Sequence, residues 1–214
     1  MKRYSIPLFG VIIAVSFLLY RIIKVSVPPY LPEEAIVKNV IDGDTVELSN
    51  NTLVRYIGID TPELRLKQGD TWIDNPEPLA RKAKQANEKL VLGKNIRIEY
   101  DEEKKDKHDR LLGYIFVNGV FVNEQILSEG LGFLMTIEPN TRYTEQLHAA
   151  LIRAKREGVG VWDKESTENI NAGEASSYIG KLAVVEGTIL GVSKTPKVIF
   201  FNFGADEKSQ CSDG

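Results

Sequence analysis

The strand-like runs of this chain are all short, and turn residues close off each one. Ala35–Val40, Thr45–Leu48, Val54–Ile59, Asn95–Asp101 and Leu112–Val117 hold four to seven residues apiece, with Gly, Pro, Asn or Asp between them. Strands of that length leave unpaired edges unless the sheet closes on itself. Closure in so few residues predicts a small barrel of the OB type, capped by helices. "LARKAKQANEKLVLG" supplies one helix, with Leu79, Ala83, Ala86 and Leu90 on a stripe and Gly93 as its stop. Glu124–Glu129, stopped by Gly130, reads as a second. Thr144–Arg156 reads as a third, its inner face Leu147, Leu151 and Ala154. Asn118–Gly119 is a tight turn, the proline-containing stretch Leu64–Pro78 is expected to be a loop, and Trp162 is expected to plug the core. The expected class is α+β: a five-stranded OB-fold β-barrel with about three helices.

That barrel domain, residues 35–163, has segments on both sides. Residues 1–25 carry Lys2 and Arg3 ahead of a run from Ile6 to Tyr20 that is apolar apart from Ser16. Continued through Arg21 and Lys24, which can snorkel, the run reaches the roughly 20 residues of a membrane span. An uncleaved signal-anchor is favoured over a cleaved signal peptide because no Ala-x-Ala-like site follows. Either way the body is expected to be extracytoplasmic: membrane-anchored, or secreted after cleavage. Residues 26–34, "SVPPYLPEE", form a proline-rich linker. Residues 164–175 turn polar and read as a second linker, and residues 176–214 as a partial β-rich module. Its two strand-like runs cannot bury a face by themselves, so it is expected to be a docked hairpin or a truncated domain.

Charge and cysteine usage narrow the function classes. A net charge of −3 gives no global basic field to gather nucleic acid, which disfavours a reader built on charge but not a site with its own cation. The single cysteine, Cys211, rules out an internal disulfide and reads as an inert thiol. His108 and His148 read as surface residues.

The chemistry concentrates in three stretches. "IDGDTVEL" places Asp42 and Asp44 around Gly43 and ahead of Thr45, a turn whose glycine suits positive φ. "RYIGIDTPE" adds Arg55, Asp60, Thr61 and Glu63, and "DKHDRLLGY" adds Asp106 and Arg110. Carboxylates can hold a cation that polarises a phosphate oxygen, and guanidinium forks match phosphate where charge builds up. Oxygen ligands without His or Cys point to Ca²⁺ or Mg²⁺ rather than zinc. An EF-hand is excluded: counted from Asp42, the sixth position is Glu47, not Gly, and the twelfth is Leu53, not Glu. Arg55 and Asp60 lie five residues apart, so a regular strand would aim them at opposite faces; they converge only if the strand ends or bulges near Gly58.

"VIDGDTVEL", "VRYIGIDTPE", "DRLLGY", "VNEQILSEGLGF" and "GVGVW" together resemble, in order and spacing, the staphylococcal nuclease-like (thermonuclease) domain, from Ala35 to about Trp162. The resemblance implies an OB-fold barrel and a Ca²⁺-dependent endonuclease of the micrococcal type. Such an enzyme hydrolyses phosphodiester bonds of DNA and RNA, preferring single-stranded or locally melted substrate, and leaves 3′-phosphates. It implies Asp44 and Asp60 as calcium carboxylates, Thr61 as the carbonyl ligand, Glu63 as general base, and Arg55 and Arg110 as phosphate-binding arginines. Asp42, Thr45 and Asp106 fall on supporting positions. No obligate protein partner is implied. Met135 and Ile137 stand where the family's type member has tyrosines against the bound nucleotide, so weaker stacking is expected there; stacking is worth about 1–3 kcal/mol per base. The tail from Ala172 resembles an OB-like module that follows this domain in some exported bacterial proteins. The rival readings are a non-catalytic OB-fold module binding nucleic acid or protein at the cell surface, and a surface scaffold; neither needs the acid–arginine set.

Overall fold

The computed structural model describes residues 31–69, 71–164, 167–195 and 199–203. The expected signal-anchor (1–25), all but the last residues of the proline-rich linker, and Cys211 lie outside the described residues. Among the described residues no helix is long and apolar enough to cross a membrane.

Strands β1 (Glu34–Val40), β2 (Thr45–Leu48) and β3 (Leu53–Tyr56) form an antiparallel meander. β4 (Gly58–Asp60), β5 (Arg65–Gln68) and β6 (Thr71–Asp74) follow, then helix α1 (Ala80–Val91). β7 (Asn95–Glu99) pairs with β1 and with β8 (Leu111–Val117), and β9 (Val120–Phe121) turns back on β8. The sheet order β3-β2-β1-β7-β8 is closed by a parallel pairing of β3 with β8, Val54 opposite Leu111 and Arg55 opposite Leu112. This closure makes five strands a barrel and removes its edges. It also sets Arg110, at the mouth of β8, beside the strand that carries Arg55. Inside lie Val46, Leu48, Val54, Ile96, Ile98 and Ile115, all essentially inaccessible. Each contributes about 1.5–3 kcal/mol by leaving water.

Helix α2 (Val122–Ser128) leads to β10 (Phe133–Met135), which pairs with β4, and helix α3 (Thr144–Glu157) packs against α2 and β10. The inner face of α3 is Leu147, Ala150, Leu151 and Ala154. The run expected as one strand, Val54–Ile59, is broken between β3 and β4 at Gly58, whose φ is +82°. A side chain there would strain the backbone and place its Cβ 2.4 Å from Leu147 Cδ1.

Four expectations need correction. Leu64–Pro78 is no loop: β5 and β6 form an exposed hairpin with Leu66 opposite Ile73, and the Gly69-Asp70 dipeptide in its sequence is a hairpin-turn signal that the proline-rich flank obscured. The buried stripe of α1 is Ala80, Ala83, Asn87 and Val91, because Leu79 is left-handed (φ +68°) and stands outside the helix. Trp162 does not plug the core; Val161 is the buried residue, and the Trp162 ring lies edge-on to Phe133 at 5.8 Å with Lys155 Nζ 4.3 Å above it. Residues 164–175 are not simply a linker. They hold β11 (Glu168–Asn171), paired in parallel with β12 (Ala183–Glu186), and the start of a 3₁₀ segment (Ala172–Tyr178). Ile170, among polar neighbours, is the buried residue of β11. β13 (Gly191–Lys194) and β14 (Ile199–Asn202) pair antiparallel, so the described residues of the tail from Ala172 hold three short strands, β12 to β14, not two.

Candidate active site

The turn from β1 to β2 builds the floor of the site. Asp42 Oδ1 accepts the Asp44 amide at 3.0 Å, an Asx turn. Gly43 is required here by space rather than handedness: its φ is not positive, and a Cβ would stand 2.6 Å from Thr61 Oγ1 and 2.8 Å from Ala83 Cβ. Asp44, 0% exposed, is enclosed as a result. Its Oδ1 accepts from Thr45 Oγ1 (3.1 Å) and meets Arg55 Nη1 (2.7 Å). Its Oδ2 accepts from the Thr61 amide (2.8 Å) and Thr61 Oγ1 (3.1 Å). Because the chain breaks at Gly58, Asp60 returns to the same guanidinium, with Oδ1 2.5 Å from Arg55 Nη2. From α1, the buried Asn87 accepts Tyr56 Oη at 2.9 Å and donates to the Asp42 carbonyl at 3.1 Å, tying the turn to the helix.

The charges do not balance. Burial pushes the Asp44 carboxyl well above the usual carboxylate range; Arg55 pulls it back, while Asp42 and Asp60 push it further up. Burial works against the charged Arg55, but Asp44 and Asp60 outweigh it and hold the guanidinium firmly protonated. One buried cation thus faces more acid than it neutralises, which is the condition a further cation would relieve. Asp44 and Asp60 already converge on a single positive charge, and their oxygens suit a hard ion. Among the described residues no third carboxylate, His or Cys side chain completes a cluster there. The donor set is of the oxygen type that a hard cation such as Ca²⁺ or Mg²⁺ takes, with Asp44 and Asp60 as its carboxylates.

Beside this floor opens a cleft of about 600 Å³, lined by Asp42, Thr45, Glu63 and Arg110 and, further out, by Arg65, Trp72, Arg81 and Lys84. Glu63 stands at its rim, fixed by reciprocal bonds with Glu77: the Glu63 amide to Glu77 Oε2 and the Glu77 amide to the Glu63 carbonyl, both 2.8 Å. Glu63 is exposed, and desolvation by the neighbouring residues with the charges of Asp42, Asp60 and Glu77 pushes its carboxyl up, against Arg55. Asp106 accepts the Arg110 amide (3.0 Å) and Nε (2.7 Å), which orients the guanidinium and leaves its two terminal nitrogens out of that pair. Those bonds and the Arg110 charge hold the Asp106 carboxyl below its ordinary range, although burial opposes them.

The structure therefore gathers Asp44, Thr45, Arg55, Asp60 and Thr61 into one bonded cluster, and sets Asp42, Glu63 and Arg110, with its orienting Asp106, around the adjoining cleft. Arg55 does not line that cleft; both its terminal nitrogens are engaged by Asp44 and Asp60. Met135 and Ile137 are exposed on the β10 side, away from the cleft lining. His108 and His148 are exposed. Sequence reasoning missed Asn87, whose signal was an amide at helical spacing between Ala83 and Val91. It missed Trp72 and Arg65 because the hairpin that presents them read as a loop.

Known proteins share these blocks. A family model described as staphylococcal nuclease homologue matches residues 53–164. The SPbeta prophage-derived endonuclease YokF of Bacillus subtilis is 36% identical over 129 residues, 58% of this chain and 42% of that protein. Endonuclease YncB of the same organism is 35% identical over 129 residues, 58% of this chain and 59% of that one. The thermonuclease of Staphylococcus intermedius is 29% identical over 173 residues, 77% of this chain and its whole length. The chain thus spans 42% and 59% of the two Bacillus relatives' lengths.

Proposed function

Because this chain belongs to the staphylococcal nuclease family, the match covering more than half its length, we propose that it is a Ca²⁺-dependent endonuclease hydrolysing DNA and RNA. The observation that carries the reading is the convergence of Asp44 and Asp60 on one guanidinium, beside a cleft that holds Glu63 and Arg110. Asp44, Asp60 and the Thr61 carbonyl would hold the ion. When bound, Ca²⁺ supplies a hard positive charge that polarises a phosphate oxygen.

The chain's own groups do the rest. Glu63, its carboxyl raised above its ordinary range, takes the proton of the attacking water. Arg110, oriented through Nε by Asp106, offers its terminal nitrogens to the phosphate as charge builds up. Arg55 remains charged and holds the carboxylate pair in place. Cleavage leaving a 3′-phosphate is the family outcome we extend to this chain. The apolar, basic-flanked segment at residues 6–20 supports an extracytoplasmic, membrane-anchored location, where plentiful calcium makes a loose site sufficient.

The test is digestion of plasmid DNA and RNA with Ca²⁺, with Mg²⁺ and with chelator. Cleavage is expected with Ca²⁺ and none with chelator; activity that survives chelation removes the metal from the reading. Glu63→Gln is expected to lower turnover by roughly 10²–10⁴ without unfolding the chain, and a wild-type rate would remove Glu63 from the chemistry.

A further inference from the structure

We propose that the hairpin β5–β6 carries a base-stacking subsite, centred on Trp72, for an unpaired base of a single-stranded nucleic acid whose phosphate lies at Arg110. The choice of ligand rests on the nuclease reading; the site itself rests on the hairpin. Side chains alternate along a strand, so the pairing Arg65↔Asp74 and Lys67↔Trp72 puts these four residues on one face, with Leu66 and Ile73 on the other. Arg65, Trp72 and Asp74 line the cleft that also contains Glu63 and Arg110. Trp72 is 62% exposed and is the one aromatic among the described residues of that lining.

An indole left largely in water, on a regular strand and lining an open cleft, has a π-face to offer. Every nucleobase offers a matching one, and only an unpaired base can use it. The flank carries Arg65, Arg81 and Lys84 among the acids Asp74 and Glu88. Arg65 has no acidic partner among the described residues, Arg81 is shared with Asp74 at 3.0 Å, and Lys84 is only loosely paired with Glu88 at 3.8 Å. An exposed aromatic on one face with the unpaired Arg65, lining one cleft with an oriented arginine, is an arrangement a single strand can use. A duplex would keep its bases stacked away from Trp72. On the other side of the site, Met135 and Ile137 provide no aromatic surface, and the Phe133 ring is already occupied by Trp162.

The experiment uses the full chain and the fluorescence of Trp72. Of the two tryptophans, the other is replaced (Trp162→Phe), and chelator prevents cleavage. Oligothymidylate of about eight nucleotides is expected to quench Trp72, and an abasic oligonucleotide of equal length is not. With Trp162 intact, Trp72→Ala is expected to raise KM for single-stranded DNA roughly tenfold while kcat stays within about twofold, and Trp72→Tyr to restore most of the loss. Equal response to the abasic strand, or an unchanged KM in Trp72→Ala, overturns the subsite. Quenching in a chain that cleaves nothing with Ca²⁺ sinks the nuclease reading and leaves the subsite standing. Full cleavage with a silent Trp72 does the reverse.

Discussion

Asp44 is fully buried and Trp72 is 62% exposed, and the chain holds them by different means. Asp44 is gripped by Thr45, Arg55 and Thr61, from elements that meet only because the barrel closes and the chain breaks at Gly58. Trp72 sits on a two-stranded hairpin whose described residues are all exposed. The floor has one geometry, enforced by burial and by charges costly to leave unpaired. The hairpin rim has a surface rather than a single enforced geometry. Support of the first kind suits groups that must be held in place, and support of the second suits adaptable contacts.

The largest effect should come from the pair that defines the floor. Arg55→Ala strands Asp44 without its cation, and losing one partner of a buried pair costs about 3–5 kcal/mol. The low end applies, about 3 kcal/mol, because Asp60 is partly exposed and Asp44 can take up a proton. Urea unfolding measures it; a loss under about 1 kcal/mol would mean that the cluster does not hold the floor together. Next comes Asn87→Ala, which deprives the buried Tyr56 hydroxyl and the Asp42 carbonyl of their partner, at a cost of about 1–3 kcal/mol. The same unfolding curve reads it, and a neutral result would show that the turn stands without its tether to α1.

The two regions also differ in how far the amino-acid order reveals them. Short runs and turn residues were enough for a closed barrel, and the parity argument at Arg55 and Asp60 correctly required a break at Gly58. What the runs could not reveal was which strands close the ring: β3 and β8 pair in parallel across 57 residues (Val54 with Leu111), and no local pattern records that. Gly43 was read as a turn glycine, yet its reason is the approach of Thr61 and Ala83 from elsewhere in the chain. Asn87 was passed over because an amide on an apolar stripe looks like an error in the stripe until its two partners are seen. Composition hides the hairpin: its apolar residues Leu66, Trp72 and Ile73 show no alternation, and Pro76, Pro78 and the surrounding charges read as loop. At the site, local motifs located the acids and arginines, while the division between a bonded floor and an open cleft needed tertiary contacts.

The smallest effect belongs to the outer face of the rim. Leu66 and Ile73 lie opposite each other on the hairpin face turned away from Trp72, and both are exposed. If that face meets nothing, Leu66→Ser and Ile73→Thr forfeit little burial and should each change stability by no more than about 0.5 kcal/mol. They should also leave KM for single-stranded DNA unchanged, because the cleft face keeps Arg65 and Trp72. A loss above about 1 kcal/mol would show that the hairpin is anchored through its apolar face and is as much a part of the fold as the floor. A raised KM with unchanged stability would mean that substrate reaches around both faces, so the rim could no longer be treated as a one-sided platform.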